Sequence, residues 1–64
     1  MEQEIRQIIN DVFYDLQEAC GGSVDAESLA DTVGDRMHDT SEEYRAMPYA
    51  QRRALTLKIA KLFV

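Results

Sequence analysis

Cys20 and His38 are the only pair in this sequence whose side chains suggest nucleophilic catalysis. Cys20 falls near the carboxyl end of a predicted helix, where the helix dipole disfavours a thiolate, and at the edge of an apolar stripe, so we expect a buried structural cysteine. His38 has no second histidine or cysteine nearby, and we expect an exposed imidazole rather than a metal ligand. Since a glycine-rich phosphate loop is also missing, we predict a protein that is not an enzyme and holds no metal or cofactor.

Four carboxylates recur at every fourth position of the second predicted helix and form an acidic stripe: Glu27, Asp31, Asp35 and Asp39. Like charges at this spacing are neighbours on a helix and are mildly destabilising. The simpler interpretation is a solvated face, and the alternative is a docking stripe for Lys or Arg side chains of another chain. The acid spacing and the glycine of an EF-hand loop are missing, which argues against calcium.

The segment 29–34, LADTVG, is similar to the first half of a helix-turn-helix, in which an alanine packs against the next helix and a glycine four residues later makes the turn. The second half departs from this pattern, because Asp35 stands where an apolar residue is usual. The reading helix would also carry Asp39, Glu42 and Glu43, which would face phosphates. Nucleic-acid binding is therefore the weaker alternative.

Three main helices are expected to position these residues. Apolar residues recur three and four apart over Glu2–Cys20, which predicts an amphipathic helix that the pair Gly21-Gly22 ends. Asp25 is the expected cap of a second helix, Asp25–His38. Gly34 in its interior costs about 1 kcal/mol relative to alanine. Either another backbone approaches Gly34 closely, or the helix breaks there.

The chain continues with a short helical segment and a last helix. Thr40 and Glu43 have the spacing of a capping box and predict a helical turn over Glu42–Met47. Pro48 suits the first position of a helix, which we predict over Pro48–Phe63. Short connections make sequential helices pack side by side, so the expected fold is all-α: a small three-helix bundle with a short extra helical turn before the last helix, in one domain of residues 1–64.

The core is expected to consist of the apolar residues on the inward faces of these helices. They are Ile5, Ile8, Ile9, Val12, Phe13, Leu16, Leu29, Val33, Met37, Leu55, Ile59, Leu62 and Phe63. The last helix is apolar on a second side as well, and Leu57 on that side is expected to stay partly exposed as the anchor for a partner. The expected partner-binding residues are Leu57, Val64, Ala50, Arg53, Lys61 and, on the first helix, Tyr14.

Charge is unevenly distributed along the 64 residues. Residues 1–43 hold twelve acidic and two basic side chains, a net charge of −10, whereas residues 44–64 hold five basic side chains and no acidic one. The acidic helices either fold against the basic one and partly neutralise it, or each end addresses a partner of opposite charge. With one cysteine, no basic and apolar leader and no long apolar run, an intracellular protein, cytoplasmic or nuclear, is expected.

These patterns favour a non-catalytic protein–protein interaction module, an adaptor or regulator. It would dock an amphipathic acidic helix on the apolar, basic-edged face of the last helix, and a homodimer is left open. The layout of three helices with an acidic middle and an apolar, basic end is similar to that of small helical adaptors such as the KIX domain. A small helix-turn-helix-like nucleic-acid-binding regulator is the alternative.

Overall fold

The computed structural model describes all 64 residues and is entirely helical. Its elements in chain order are α1 (Glu2–Ala19), α2 (Ala26–Thr40), α3 (Glu42–Ala46) and α4 (Tyr49–Ala60). The expected all-α bundle with a short extra helical turn before the last helix is confirmed. None of the helices combines the length and the apolar character that crossing a membrane requires.

Helix α2 is the centre of the bundle, because it packs against each of the other three helices. Helix α1 runs opposite to it, since Glu4 at the start of α1 and Thr40 at the end of α2 line one shallow depression. Helix α4 also runs opposite to α2: Tyr49 at its start lines the same cleft as His38 near the end of α2. The carboxyl ends of α1 and α4 therefore lie at the same end of the bundle as the start of α2.

The glycine pair ends α1 as predicted. Gly21 and Gly22 have φ angles of 72° and 96°, in the region that side chains with a Cβ rarely adopt. The backbone N–H of Gly21 donates to the carbonyl of Glu18 at 3.3 Å, and that of Gly22 donates to the carbonyl of Gln17 at 2.7 Å. These two hydrogen bonds form a Schellman motif, which satisfies carbonyls that the helix end leaves free.

Asp25 caps α2, also as predicted. Its Oδ1 atom accepts a hydrogen bond from the backbone N–H of Ser28 at 2.7 Å. This bond from the Ser28 backbone, with a further one from the Ser28 side chain, holds the pKa of Asp25 below its ordinary value of 3.8, because both stabilise the charged carboxylate. The cap therefore depends on the ionised form of an exposed side chain.

We expect the contribution of this cap to stability to depend on pH. A carboxyl group with a lowered folded pKa contributes stability that is fully present above its unfolded pKa and is lost as the pH falls through the folded pKa. Asp25→Asn keeps an acceptor at every pH. Urea unfolding at neutral pH and well below pH 3.8 should therefore show the parent losing more stability than Asp25→Asn. Equal losses in the two proteins would show that the carboxylate charge does not matter.

The cap of α3 differs from the prediction. Ser41, not Thr40, is the cap, and its Oγ atom accepts from the backbone N–H of Tyr44 at 3.1 Å. The Thr40 hydroxyl instead donates to the carbonyl of Arg36 at 2.9 Å, inside α2. Helix α2 therefore continues past the predicted end at His38, and the chain turns at the extended residue Ser41.

The core lies where α1, α2 and α4 meet. The buried apolar residues are Ile5, Ile9, Val12, Leu29, Ala30, Val33, Met37, Tyr44, Ile59 and Ala60. Seven of them were predicted, and Ala30, Tyr44 and Ala60 were not. Five other predicted core residues are only partly buried and pack against this cluster: Ile8, Phe13, Leu16, Leu55 and Phe63.

The prediction that Leu62 lies in the core is wrong. Helix α4 ends at Ala60, earlier than the predicted end at Phe63. The backbone N–H of Leu62 bonds to the carbonyl of Ile59 at 3.0 Å, three residues back, so the last turn is tighter than an α-helical one. The Leu62 side chain is 66% exposed as a result, while Phe63 still packs against the core.

Candidate interaction surfaces

A polar cleft of about 160 Å³ lies between α2 and the first half of α4. Its charged and aromatic lining includes Asp31, Asp35 and His38 from α2 and Tyr49, Arg52 and Arg53 from α4. Acidic and basic side chains thus face each other across the cleft. Whether they are free to bind a ligand depends on the contacts they make within the chain.

The floor of the cleft is a buried pair of hydroxyl groups beneath Gly34. The Oη atom of Tyr44 lies 2.7 Å from Oγ1 of Thr56, which in turn donates to the carbonyl of Arg52 at 2.8 Å. Since the Thr56 proton goes to that carbonyl, Tyr44 donates to Thr56. A Cβ at Gly34 would lie 3.4 Å from the Tyr44 hydroxyl. The sequence suggested that Gly34 either breaks α2 or meets another backbone, and neither is the case. Gly34 instead adjoins the phenol group of Tyr44.

Arg52 is engaged inside the chain. Its guanidinium lies 5.9 Å from the ring centroid of Tyr44 and 5.7 Å from that of Tyr49, both within cation–π range. Its Nη1 amino group donates to the carbonyl of Met47 at 2.9 Å and to that of Arg45 at 3.3 Å. Arg52 thereby joins the end of α3 to α4.

Arg53 forms an ion pair with Asp31 of the acidic stripe. This pair is the single place where the basic last helix neutralises the acidic part of the chain, because the other two ion pairs lie at the start of α1. Such a pair is worth about 0–1 kcal/mol, since the Asp31 side chain is 71% exposed. Asp31 and Arg53 were predicted on two different binding surfaces, and the fold brings them together.

The other members of the acidic stripe, Glu27, Asp35 and Asp39, are exposed and form no ion pair. His38 is exposed beside them, as expected, and its backbone carbonyl accepts a hydrogen bond from Arg45 at 2.6 Å. No three His, Cys, Asp or Glu side chains are grouped so that they could hold a metal ion.

Cys20 is exposed, which overturns the expectation of a buried cysteine. It is the C-cap residue of α1 and directly precedes the glycine turn. The last turn of α1 thus extends beyond the part that α2 and α4 cover, and the apolar stripe ends at Leu16, which is partly buried.

The outward side of α4 carries small and basic residues. Ala50, Ala54, Lys58 and Lys61 are all exposed. Neither lysine forms an ion pair, and α4 contains no acidic residue. We call these four residues, with Leu62 and Val64 from the segment that follows Ala60, the outer face of α4.

Two apolar side chains are exposed at the carboxyl end of this face, Leu62 at 66% and Val64 at 53%. Leu57, the predicted anchor, is partly buried and packs against the core. Its remaining exposed part lies at the edge of the outer face. Leu62 is therefore the more accessible apolar residue, and sequence reasoning missed it because helical periodicity places it on the same side as the core residue Leu55.

Tyr14 stands out on the outward side of α1. It is 77% exposed, and its ring lies edge-on to Phe13 with the two ring centroids 6.3 Å apart and the ring planes at 88°. Asp11 and Glu18, three residues before it and four after it, are its neighbours on the helix surface. Both carboxylates are exposed and form no ion pair.

The turn of a helix-turn-helix is absent at Gly34, because α2 is continuous from Ala26 to Thr40. Ala30 is buried in the core, but the glycine four residues later does not reverse the chain. The similarity of segment 29–34 to that motif is therefore confined to sequence.

Models of known protein families, curated proteins and solved structures were compared with this chain, and none of the three comparisons gave a match.

Proposed function

We propose that this chain is a non-catalytic protein–protein interaction module, an adaptor or regulator that docks a partner on the outer face of α4. The observation that carries the proposal is the pairing of unneutralised charge with exposed apolar surface. Lys58 and Lys61 have no carboxylate partner, and Leu62 beside them is 66% exposed. A partner with carboxylates around an apolar centre would complement both features.

The outer face is suited to a helix. Lys58 lies four residues after Ala54, so the two are neighbours at the helix surface, and Lys61 and Leu62 follow in the tighter turn after Ala60. Ala50 and Ala54 lie at the same spacing toward the start of α4, and their small side chains let another backbone approach closely. An amphipathic acidic helix laid along this face would place its apolar side on Leu62 and Val64 and its carboxylates on the lysines.

The proposal includes a location inside the cell, in the cytoplasm or nucleus. Cys20 is exposed and forms no disulfide, which suits a compartment that keeps thiols reduced. Fractionation of the source cells tests this part by itself. Recovery of the chain outside the cell with Cys20 oxidised would contradict it.

Leu62→Glu is expected to abolish partner binding without unfolding the domain. It places a negative charge in the centre of the apolar contact and beside the lysines, at a side chain that contributes little to the core. The measurement is affinity capture from source cells with the parent and the variant side by side, together with thermal melts of both proteins. Glu42→Lys, at an exposed position of α3, is the control for a charge change elsewhere. Equal capture by the parent and Leu62→Glu would contradict the proposal.

Leu57→Glu is the less clean variant, because Leu57 packs against the buried cluster. We expect it to lower the melting temperature as well as binding. The decisive variant is therefore Leu62→Glu, which we expect to lose binding while its melting temperature stays equal to that of the parent.

The alternative, a nucleic-acid-binding regulator, has less support in the structure. Arg52 and Arg53 are engaged within the chain, and the exposed carboxylates of the acidic stripe lie across the cleft from them. A duplex and single-stranded DNA shift assay at low salt tests it, because phosphate contacts are strongest there. Binding that falls steeply with added salt would favour this alternative over the protein-binding module.

A further inference from the structure

The chain itself contains a helix face with the chemistry that the outer face of α4 calls for. On the outward side of α1, the exposed aromatic Tyr14 lies between Asp11 and Glu18, and neither carboxylate has a cationic partner. Just past the end of α4, the exposed Leu62 follows Lys58 and Lys61, which form no ion pair. One face has an apolar centre with a carboxylate on either side, and the other has an exposed apolar residue preceded by two lysines.

We propose that the acidic helix bound by α4 is α1 of a second copy of this chain, so that the protein self-associates. This inference rests on the proposed function, since it uses the same outer face of α4. Tyr14 of one copy would contact Leu62 of the other, with Asp11 and Glu18 against Lys58 and Lys61. Tyrosine is among the residues that most often anchor such contacts, and most of the Tyr14 side chain is free to be covered by a partner.

The placement of the two faces suits a closed pair. Helices α1 and α4 both run opposite to α2 and contact each other, so Tyr14 in the second half of α1 and Leu62 just past α4 lie toward the same end of the bundle. In a two-fold arrangement each copy supplies one α1 face and one α4 face, and the same contact is made twice. Such an isologous contact closes on itself and leaves no face free to extend a filament.

The acidic stripe on α2 is a poorer occupant for the outer face of α4. Its member Asp31 is already paired with Arg53 of the same chain. The residues that lie between the carboxylates on the same side of α2, Gly34 and His38, offer no apolar side chain. Tyr14 gives the face of α1 the apolar centre that the stripe on α2 lacks.

A charge-exchange experiment tests the inference. Lys58→Glu/Lys61→Glu makes the outer face of α4 acidic, and Asp11→Lys/Glu18→Lys makes the outward face of α1 basic. Each variant alone is expected to raise the dimer dissociation constant by roughly tenfold or more, because like charges then meet at both contacts. An equimolar mixture is expected to restore the dimer, since every contact between the two variants again joins opposite charges.

Sedimentation equilibrium measures the result against the monomer mass of 7.3 kDa. Thermal melts confirm that the variants fold, as expected for exposed side chains. A parent dimer, weakened variants and a restored mixed dimer support the inference. A parent that stays monomeric, variants that dimerise like the parent, or a mixture that stays monomeric would each overturn it. A monomeric parent whose capture of another protein is lost in Leu62→Glu would overturn the inference and leave the proposed function standing.

Discussion

Replacing Leu29 by alanine is expected to lower the free energy of unfolding by about 2–5 kcal/mol. Leu29 is fully buried on α2, the helix that contacts all the others, so the cavity left behind borders the centre of the bundle. A domain of this size has roughly 5 kcal/mol of stability to lose. About 0–3 kcal/mol would remain, so urea unfolding followed by circular dichroism should show a midpoint at a much lower urea concentration than in the parent.

Leu62→Ala is the matched control, because it deletes the same atoms from a side chain that is 66% exposed. Its unfolding free energy should stay within about 0.5 kcal/mol of the parent value. If Leu62→Ala were as destabilising as Leu29→Ala, the tight last turn of α4 would be wrongly placed and Leu62 would belong to the core.

Tyr44→Ala is expected to cost about 3–5 kcal/mol, the range for deleting a buried aromatic ring. Tyr44 is 3% exposed, and the guanidinium of Arg52 lies over its ring. Removing the ring therefore opens a cavity and deletes a contact between α3 and α4. Helix α3 is too short to persist without that contact. We expect the near-ultraviolet circular dichroism signal of Tyr44→Ala to disappear at a lower urea concentration than that of the parent.

Tyr44→Phe distinguishes the contribution of the hydroxyl group to stability from that of the ring. It removes the hydrogen bond from Tyr44 to Thr56 while Thr56 keeps its bond to the Arg52 carbonyl, so we expect a loss of only about 0.5–1.5 kcal/mol. Near-equal losses for Tyr44→Phe and Tyr44→Ala would mean that the hydroxyl pair, rather than the ring, holds α3 in place.

The helices were predictable because each is specified locally. The three-and-four spacing of Ile5, Ile9 and Val12 marks one face of α1 without reference to any other part of the chain. The glycine turn and the Asp25 cap are likewise decided by backbone conformation and by one side chain within three residues. These features needed no knowledge of which helices pack together.

The missed features depend on tertiary contacts. Nothing near Gly34 in sequence shows that the hydroxyl of Tyr44 will lie against it, ten residues away. Thr56 lies three residues before Ile59 and so falls on the core side of α4, but its hydroxyl group kept it out of a core list made of apolar residues. Leu62 and Cys20 were misplaced for a second reason: both lie at helix ends, where periodicity continues in the sequence after the helix has stopped.

The candidate docking surface was predicted in part. Its charge could be read from the sequence, because no acidic residue follows Glu43. The sequence could not show which basic residues remain free. The pairing of Arg53 with Asp31 and the bonds from Arg52 to two carbonyls depend on how the helices pack. The candidate docking surface therefore centres on Lys58, Lys61 and Leu62 instead of on the predicted anchor Leu57.

Site-specific photo-cross-linking tests most directly whether the outer face of α4 docks a protein. A photoreactive phenylalanine analogue at Ala54, in the middle of that face, should cross-link the chain to a protein in the source cells, and the product should disappear when Lys58→Glu/Lys61→Glu is added. The same analogue at the exposed Glu42 serves as the control position. If position 54 gives no product beyond those from position 42, or if its product survives the charge reversal, the outer face of α4 is not the docking surface.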